Sequence, residues 1–286
     1  MSKFIISGFA DEIDPMLDKQ MATLDELGVS YIEMRGVDDK NLCDCTLDEA
    51  RAIKARLDSR GFKLSAVGSP IGKIQITDDF APHLEKFRHA LDIAEIMETK
   101  YIRMFSFFMP KDSDPAQWRD EVITRWNGFI EAAKGRGITL LHENEKGIYG
   151  DIPERCLDLL KALDNPMVRA TFDPANFVQC GAKPFPDGYE LLKDYVEYVH
   201  IKDARFADGQ VVPAGEGDGQ VPGLIAALHA AGFEGFLSLE PHLADFSGFK
   251  ALETDASDDG KASQAEGARC FTVAHSALKK ILAGLN

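Results

Sequence analysis

The sequence predicts a single (β/α)8 (TIM) barrel, and three observations support this fold class. Eight short β-rich runs alternate strictly with amphipathic stretches whose apolar residues recur every three or four positions. Several of these stretches end in a glycine that is followed closely by the next β-rich run, as helix C-caps are. The length of 286 residues is close to the ~250 residues typical of such a barrel. Counting strands alone also permits a doubly wound open sheet, but eight units favour the barrel.

The predicted strands are short runs of β-branched, aromatic and other apolar residues between polar or turn-forming ones. They cover residues 3–8, 31–34, 63–68, 101–107, 138–143, 168–173, 198–203 and 236–240. The helical periodicity predicts helices over residues 14–28, 47–61, 83–97, 122–137, 152–163 and 221–232. Four of these stretches have a glycine at the predicted helix end: Gly28, Gly61, Gly137 and Gly232.

The C-terminal part continues this organisation with one long connection. Residues 250–267 are small and polar and predict a loop that covers the barrel mouth or is mobile. Residues 268–282 predict a last helix. Because no linker, low-complexity tract or longer repeat is present, residues 1–286 are expected to form one domain.

Composition argues against several classes of protein. No apolar run approaches the ~20 residues that a membrane helix needs, and the N-terminal segment lacks the pattern of a signal peptide. Five cysteines, an odd number, favour reduced thiols and a cytoplasmic location. The net charge of −15 argues against a nucleic-acid partner. The expected partner is a small molecule, and assembly into a homo-oligomer is compatible with the sequence.

Four polar side chains stand at or just past the ends of the last four predicted strands: Glu143, Asp173, His200 and Glu240. The loops after the strands form the active-site face of a (β/α)8 barrel. Alternation places His142 opposite Glu143, so only one of the two enters the barrel, and Glu143 is the better ligand for a hard cation. Asp173 precedes a proline and is expected to be extended and held at the mouth rather than to cap a helix.

Three carboxylates and one imidazole predict a site for one divalent metal ion. Mn²⁺ is the first expectation, followed by Mg²⁺, Co²⁺ or Zn²⁺. Glu240 supports this hypothesis, because an unpaired carboxylate buried at the end of an apolar run would cost several kcal/mol.

Further polar residues at the strand ends are predicted to line a substrate pocket. Glu145 lies in the loop just after Glu143, and Lys202 shares a face with His200. Six more lie at or beyond the ends of the first four strands: Glu12, Glu33, Arg35, Ser69, Lys73 and Arg103. Of these six, Ser69 and Arg103 are the principal predicted substrate contacts. For each of the six, a role in a salt bridge at the rim is the alternative.

Five segments carry a resemblance to a known family: TLLHENE, TFDPANF, VHIKDA, PAGEGDGQVP and SLEPHL. In this order and spacing they resemble the strand-end motifs of the xylose isomerase-like TIM barrel family. That family includes sugar phosphate isomerases/epimerases, ketose 3-epimerases and inosose dehydratases. The resemblance implies that Glu143, Asp173, His200 and Glu240 hold the metal, and that Glu143 and Glu240 are also the catalytic acid/base pair.

Two departures from the ketose 3-epimerase pattern leave the substrate open. Asn176 stands where those epimerases carry a histidine, and Tyr149 stands where they carry a further glutamate. Asn176 is still expected to contact substrate. Glu216, in the glycine-rich segment that resembles the family's loop before a late helix, is expected to face substrate as well.

The sequence thus predicts a divalent-metal-dependent isomerase or epimerase of a small sugar or sugar derivative, acting by proton abstraction through a metal-stabilised enediolate. A dehydratase or lyase acting on a keto-sugar or keto-inositol would use the same metal site. A non-catalytic carbohydrate-binding barrel is a third hypothesis. The related apurinic endonucleases use several metals and extra histidines, which the seven histidines of this chain do not match.

Overall fold

The computed structural model describes residues 2–243 and 264–285. Eight parallel strands form a nearly closed barrel. They are β1 (Lys3–Gly8), β2 (Tyr31–Met34), β3 (Lys63–Gly68), β4 (Tyr101–Met104), β5 (Thr139–Glu143), β6 (Val168–Phe172), β7 (Val196–Ile201) and β8 (Glu234–Leu239). Hydrogen-bonded pairs follow the order β1-β8-β7-β6-β5-β4-β3-β2, and β1 packs beside β2. The predicted barrel is therefore confirmed.

Helices lie between the strands, as the periodicity predicts. They are α1 (Leu17–Leu27), α2 (Leu47–Ser59), α3 (Phe80–Ile96), α4 (Arg119–Ala133), α5 (Pro153–Leu163), α6 (Pro174–Gln179), α7 (Tyr189–Leu192), α8 (Val221–Ala230) and α9 (Gln264–Ala283). The short helices α6 and α7 were not predicted, because neither is long enough to show a helical period. None of the helices in the described part of the chain is long and apolar enough to cross a membrane.

Several predicted boundaries need correction. The fourth helix, predicted to end at Gly137, ends at Ala133. The fourth strand ends at Met104 because the backbone N–H groups of Phe105 and Phe107 donate to Ile71 and Gly72 in the loop after β3. The seventh predicted strand divides after Ile201, and Asp203–Ala204 pairs instead with Val211–Val212. The last helix begins at Gln264, so residues 264–267 are not part of a loop. The rest of the predicted loop, 250–263, lies outside the described residues.

Gly267 lets the last helix pack closely against the loop after β1. A Cβ atom at this position would lie 2.5 Å from the carbonyl oxygen of Ile13 and 2.6 Å from that of Glu12. Real side chains do not tolerate such distances, so only glycine permits this packing. The helix α9 also contacts α1 and α8.

The apolar core has two main parts, beside a small third cluster of Ala175, Val178 and Ala204. The larger part lies between the strands and the surrounding helices and includes Trp126 and Phe129. The smaller part fills the barrel interior with Tyr101, Leu141 and Tyr198. Leu141 and Tyr198 each precede by two positions a polar residue named above, Glu143 and His200. Since side chains alternate along a strand, this apolar layer lies directly below the polar mouth.

Register determines which polar groups meet at the mouth. In the pairing of β8 with β7, Ser238 is opposite His200 and Leu239 is opposite Ile201. The backbone N–H of Glu240 then donates to the carbonyl oxygen of Ile201 at 3.3 Å. Glu240 is thereby placed beside Lys202.

His83 on α3 provides a test of the packing. Its Nε2 atom accepts a hydrogen bond from the backbone N–H of Gly72 at 2.7 Å, and its ring packs against Phe107 and Phe129. Burial lowers the pKa of His83 from 6.5 to about 4. His142, which is also buried, has its pKa lowered to about 4 for the same reason.

We predict that His83→Gln reduces the loss of stability in mild acid. As the pH is lowered, the unfolded chain takes up a proton at His83 near pH 6.5 and the folded chain only near pH 4. The free energy of unfolding therefore falls as the pH drops through this window. The fall due to His83 is at most about 3 kcal/mol. A glutamine keeps an acceptor for Gly72 but cannot titrate. Denaturant unfolding between neutral pH and pH 4 measures the difference, and identical pH profiles for the two proteins would contradict it. His142 still contributes in both.

Candidate active site at the barrel mouth

The structure brings together the four residues that the sequence singles out. Glu143, Asp173, His200 and Glu240 are all buried, and one ligand atom from each lies within 4.8 Å of the others. The Nδ1 atom of His200 is 2.9 Å from Glu143 Oε1, 3.4 Å from Glu240 Oε2 and 3.8 Å from Asp173 Oδ2. We call these four residues the carboxylate–histidine cluster.

Strand alternation places Glu143 inside the barrel and His142 outside it, as expected. Glu143 Oε2 accepts a hydrogen bond from Arg103 Nη1 at 2.9 Å. His142 Nε2 lies 2.9 Å from the hydroxyl of Ser106, and its ring packs edge-on against Trp126 between the strands and the helices. Only Glu143 can therefore act at the mouth.

Asp173 differs from its predicted role in one respect. Its backbone is extended, as expected before Pro174, but its Oδ1 atom accepts a hydrogen bond from the N–H of Asn176 at 2.8 Å and so caps α6. The expectation that Asp173 would not cap a helix is wrong. An N-cap residue is itself extended, so the proline and the cap are compatible. The other oxygen, Oδ2, faces the cluster.

Three permanent cations contact the cluster. Lys202 Nζ lies 2.9 Å from both Asp173 Oδ2 and Glu240 Oε2. Arg35 Nη1 lies 3.4 Å from Glu240 Oε1. Arg103 pairs with Glu143, so each carboxylate of the cluster contacts at least one positively charged side chain.

These charges determine the protonation states of the cluster. Burial alone would raise the pKa of Glu143, but His200 and Arg103 outweigh it and lower the pKa to about 2. Burial opposes ionisation of Glu240 too, yet Lys202 and His242 hold its pKa well below the usual range. For Asp173 burial prevails over Lys202, and the pKa is raised. Burial disfavours the charged form of His200, but Glu143 and Glu33 raise its pKa well above the usual value.

The cluster suits a divalent cation on two grounds. Asp173 Oδ2 is buried, and its contact with Lys202 Nζ at 2.9 Å is an ion pair without the geometry of a hydrogen bond. The buried network around the cluster also contains more acids than permanent cations. The acids are Asp11, Glu12, Glu33, Glu143, Asp173 and Glu240, and the cations are Arg35, Arg103 and Lys202. A divalent ion would offset most of this excess.

The other predicted substrate contacts have different positions. Asn176 Nδ2 donates to Asn144 O at 2.9 Å and lies 3.3 Å from Glu143 Oε1, so it supports the cluster. Glu145 pairs with Lys73 at 3.0 Å on the rim. The hydroxyl of Ser69 donates to the carbonyl oxygen of Arg103 and accepts from the N–H of Ile71, so both roles are used within the protein.

Glu216 is exposed, and no contact in the described residues joins it to the cluster. Its loop is held by Asp203, which follows β7 and pairs with Val212. This buried carboxylate accepts four backbone N–H groups, from Ala204, Gly215, Gly217 and Gly219, at 2.8–3.1 Å. Sequence reasoning did not identify Asp203. The available signal was the group of closely spaced glycines in this loop, which is typical of a backbone whose N–H groups surround a negative charge.

A cavity of about 330 Å³ lies at the ends of β1–β4, and its lining residues do not include those of the cluster. Arg35 and Arg103 line it and also contact Glu240 and Glu143, so they connect the cavity to the cluster. The volume is in the range of small-molecule sites.

Tyr149 is one of the two departures from the ketose 3-epimerase pattern noted above. Its hydroxyl donates a hydrogen bond to Oδ2 of Asp158, on α5, at 2.6 Å.

The chain belongs to the xylose isomerase-like TIM barrel family, whose model matches residues 21–271. This confirms the resemblance seen in the strand-end motifs. The uncharacterised protein MJ1311 of Methanocaldococcus jannaschii is 22% identical over 163 residues. The match covers 55% of this chain and 56% of that protein, so this chain spans little more than half the length of that relative.

Several solved structures share the whole barrel. A D-tagatose 3-epimerase-like protein is 18% identical with a TM-score of 0.73, and the match covers 99% of this chain and 98% of that one. The probable 3-DHS dehydratase AsbF of Bacillus anthracis is 18% identical with a TM-score of 0.70, covering 98% of both chains. The IOLI protein, solved with a zinc atom, is 13% identical with a TM-score of 0.73, covering 99% of both. At these identities the likeness shows the fold.

We predict that Asp203→Asn destabilises the fold and loosens residues 204–219. An asparagine amide can accept fewer of the four N–H groups and turns its own donors towards them, so the loss is on the order of 3 kcal/mol. Denaturant unfolding and limited proteolysis of the loop measure the effect. Asp208→Asn, the same change at an exposed position in this region, is the control. Equal stabilities for the two variants would refute the prediction.

Proposed function

We propose that the protein is a divalent-metal-dependent isomerase or epimerase of a small sugar or sugar derivative. The observation that carries the proposal is the buried carboxylate–histidine cluster beside a cavity of small-molecule size. Glu143, Asp173, His200 and Glu240 would hold the metal. When bound, a divalent ion would polarise a substrate carbonyl and lower the pKa of the neighbouring C–H group. The zinc atom in the IOLI protein supports a metal in this fold, and Mn²⁺ remains our first choice of ion.

Glu143 and Glu240 are suited to proton transfer. They enter the mouth from β5 and β8, with β6 and β7 between them, so they can approach a substrate carbon from different sides. One carboxylate would remove the proton next to the carbonyl, and the electron pair of the C–H bond would form the enediolate. The other carboxylate would take up a proton from solvent and deliver it to the opposite side of the carbon, which gives the epimer, and the first carboxyl group would release its proton to solvent. Arg103 and Asn176 orient Glu143, whereas Arg35 and Lys202 orient Glu240.

The cavity would hold the rest of the substrate. Its polar lining mixes cations with carboxylates and includes Asp11, Arg35 and Lys73. Such a surface offers both donors and acceptors to sugar hydroxyls. Phe105 also lines the cavity, with Lys73 Nζ 4.4 Å and Arg103 Cζ 4.6 Å from its ring centroid. The D-tagatose 3-epimerase-like protein, which shares this fold, supports a sugar substrate.

A dehydratase or lyase acting on a keto-sugar or keto-inositol is the second candidate, and Lys202 is the observation that favours it. Its ammonium group lies inside the cluster, between Asp173 and Glu240. After a carboxylate removes the proton, the C–O bond could break with both electrons going to the departing hydroxyl. Lys202 would then donate the proton that makes water. The probable 3-DHS dehydratase AsbF, with the same fold, supports this alternative.

We predict that Glu143→Gln and Glu240→Gln each lower turnover about 10²–10⁴-fold at saturating metal, because each removes a proton-transfer group. Activity is measured as proton exchange with deuterated solvent on a panel of ketoses and keto-inositols, with product masses recorded. Glu131→Gln, on the exposed face of α4, is the control. Isobaric products indicate epimerisation, and loss of water indicates the dehydratase. Metal binding without exchange or turnover on any substrate would contradict both and indicate a carbohydrate-binding barrel.

We also predict that divalent metal stabilises the fold. At a free ion concentration 100 times the Kd, the gain in the free energy of unfolding is about 2.7 kcal/mol. Thermal unfolding after chelation and after addition of Mn²⁺, Mg²⁺, Co²⁺ or Zn²⁺ ranks the ions. Asp173→Asn should weaken this stabilisation, since it removes the charge of the oxygen that faces the cluster. An unchanged melting temperature with every ion would count against the proposed function.

A further inference from the structure

Glu33, on β2, contacts His200 from the opposite side of the imidazole ring. Its side chain is fully buried, and its two oxygens lie 3.1 and 3.3 Å from His200 Nε2. Its other ion-pair partner in the described residues, Arg103 Nε, is 3.9 Å away, beyond hydrogen-bond distance. The principal contact of this buried carboxylate is therefore a single nitrogen atom of His200.

The other ring nitrogen of His200 faces the cluster. Nδ1 is 2.9 Å from Glu143 Oε1 and 3.4 Å from Glu240 Oε2. The rings of Phe9 and Tyr198 pack edge-on against the imidazole, with centroids 5.3 and 5.9 Å away. The ring therefore has a fixed orientation, with one nitrogen towards Glu33 and the other towards the cluster.

A neutral imidazole has one N–H donor and one nitrogen with a free lone pair. A carboxylate accepts a hydrogen bond from an N–H group, whereas a metal ion needs the lone pair. Metal binding requires the neutral ring and so releases the second proton of His200. If Glu33 then accepts a hydrogen bond from Nε2–H, the lone pair is on Nδ1, the atom that faces Glu143, Asp173 and Glu240.

We propose that Glu33 is a positioning residue for the metal site: it holds His200 in the Nε2–H tautomer and so presents Nδ1 to the divalent ion. This inference rests on the proposed function. Carboxylates that bind the second nitrogen of a metal-ligating histidine fix its tautomer and make it a stronger ligand. Here the carboxylate comes from the half of the barrel that contributes none of the four proposed ligands.

Charge compensation of Arg103 is the competing explanation for Glu33. It would make Glu33 important for stability but would leave the tautomer of His200 and its affinity for metal unaffected. The two explanations therefore differ in measurements made on the metal site itself and not in the melting temperature.

The experiment compares Glu33→Gln with the matched control Glu197→Gln. Glu197 is also on a barrel strand, β7, but it accepts a hydrogen bond from Tyr101 Oη at 2.6 Å and does not contact His200 in the described structure. The Kd for Zn²⁺ is measured by competition with a chromophoric chelator, and ¹⁵N NMR of labelled histidine reports the tautomer. We expect Glu33→Gln to weaken Zn²⁺ binding about 10–100-fold and Glu197→Gln to leave it unchanged.

In the zinc-loaded wild type, NMR should show the proton of His200 on Nε2 and the metal on Nδ1. Zinc on Nε2, or an unchanged Kd in Glu33→Gln, would overturn the inference while leaving the metal site in place. Failure of the wild type to bind any divalent ion would instead overturn the proposed function. If Glu33→Gln does not fold, Glu33→Asp keeps the charge at a greater distance and should show intermediate affinity. Wild-type affinity in that variant would also overturn the inference.

Discussion

Mutual neutralisation of buried charges at the barrel mouth is the interaction on which the rest of the site depends. A single carboxylate buried without a partner would be unstable or would take up a proton. Here Arg103 holds Glu143, Lys202 holds Asp173 and Glu240, and Arg35 joins Glu240 to Asp11. Glu143 and Glu240 consequently stay ionised, and their oxygens lie close to those of Asp173 in the structure itself.

The two halves of the barrel have separate tasks. The strands β5–β8 carry the four cluster residues, while the loops after β1–β4 line the adjoining cavity. Arg35 and Arg103 belong to the half formed by β1–β4 but contact carboxylates of the half formed by β5–β8. A change in the cavity can therefore alter the site through these two guanidinium groups without touching a cluster residue. In the proposed enzyme, this division would permit different substrates to be accommodated with the same central chemistry.

Local patterns were sufficient to predict the barrel, because each β/α unit carries its own periodicity and its own terminal signals. Strand alternation also correctly separated Glu143 from His142. Contacts between distant strands could not be predicted in this way. Glu33 and His200 are 167 positions apart, and their pairing depends on closure of the barrel where β1 packs beside β2. The cap formed by Asp173 was missed for a different reason: six residues of helix are too few to show a period, so the aspartate had no visible helix to cap.

The packing of the last helix on the first strand-end loop has an evolutionary consequence. Gly267 lies against the carbonyl oxygens of Glu12 and Ile13, and Glu12 contacts Arg35, which in turn contacts Glu240. Any larger side chain at position 267 would push the helix away from this loop and disturb that series of contacts. Selection on the site would therefore extend to a small residue with no polar group, 27 positions after Glu240. A survey of relatives restricted to charged positions would overlook it.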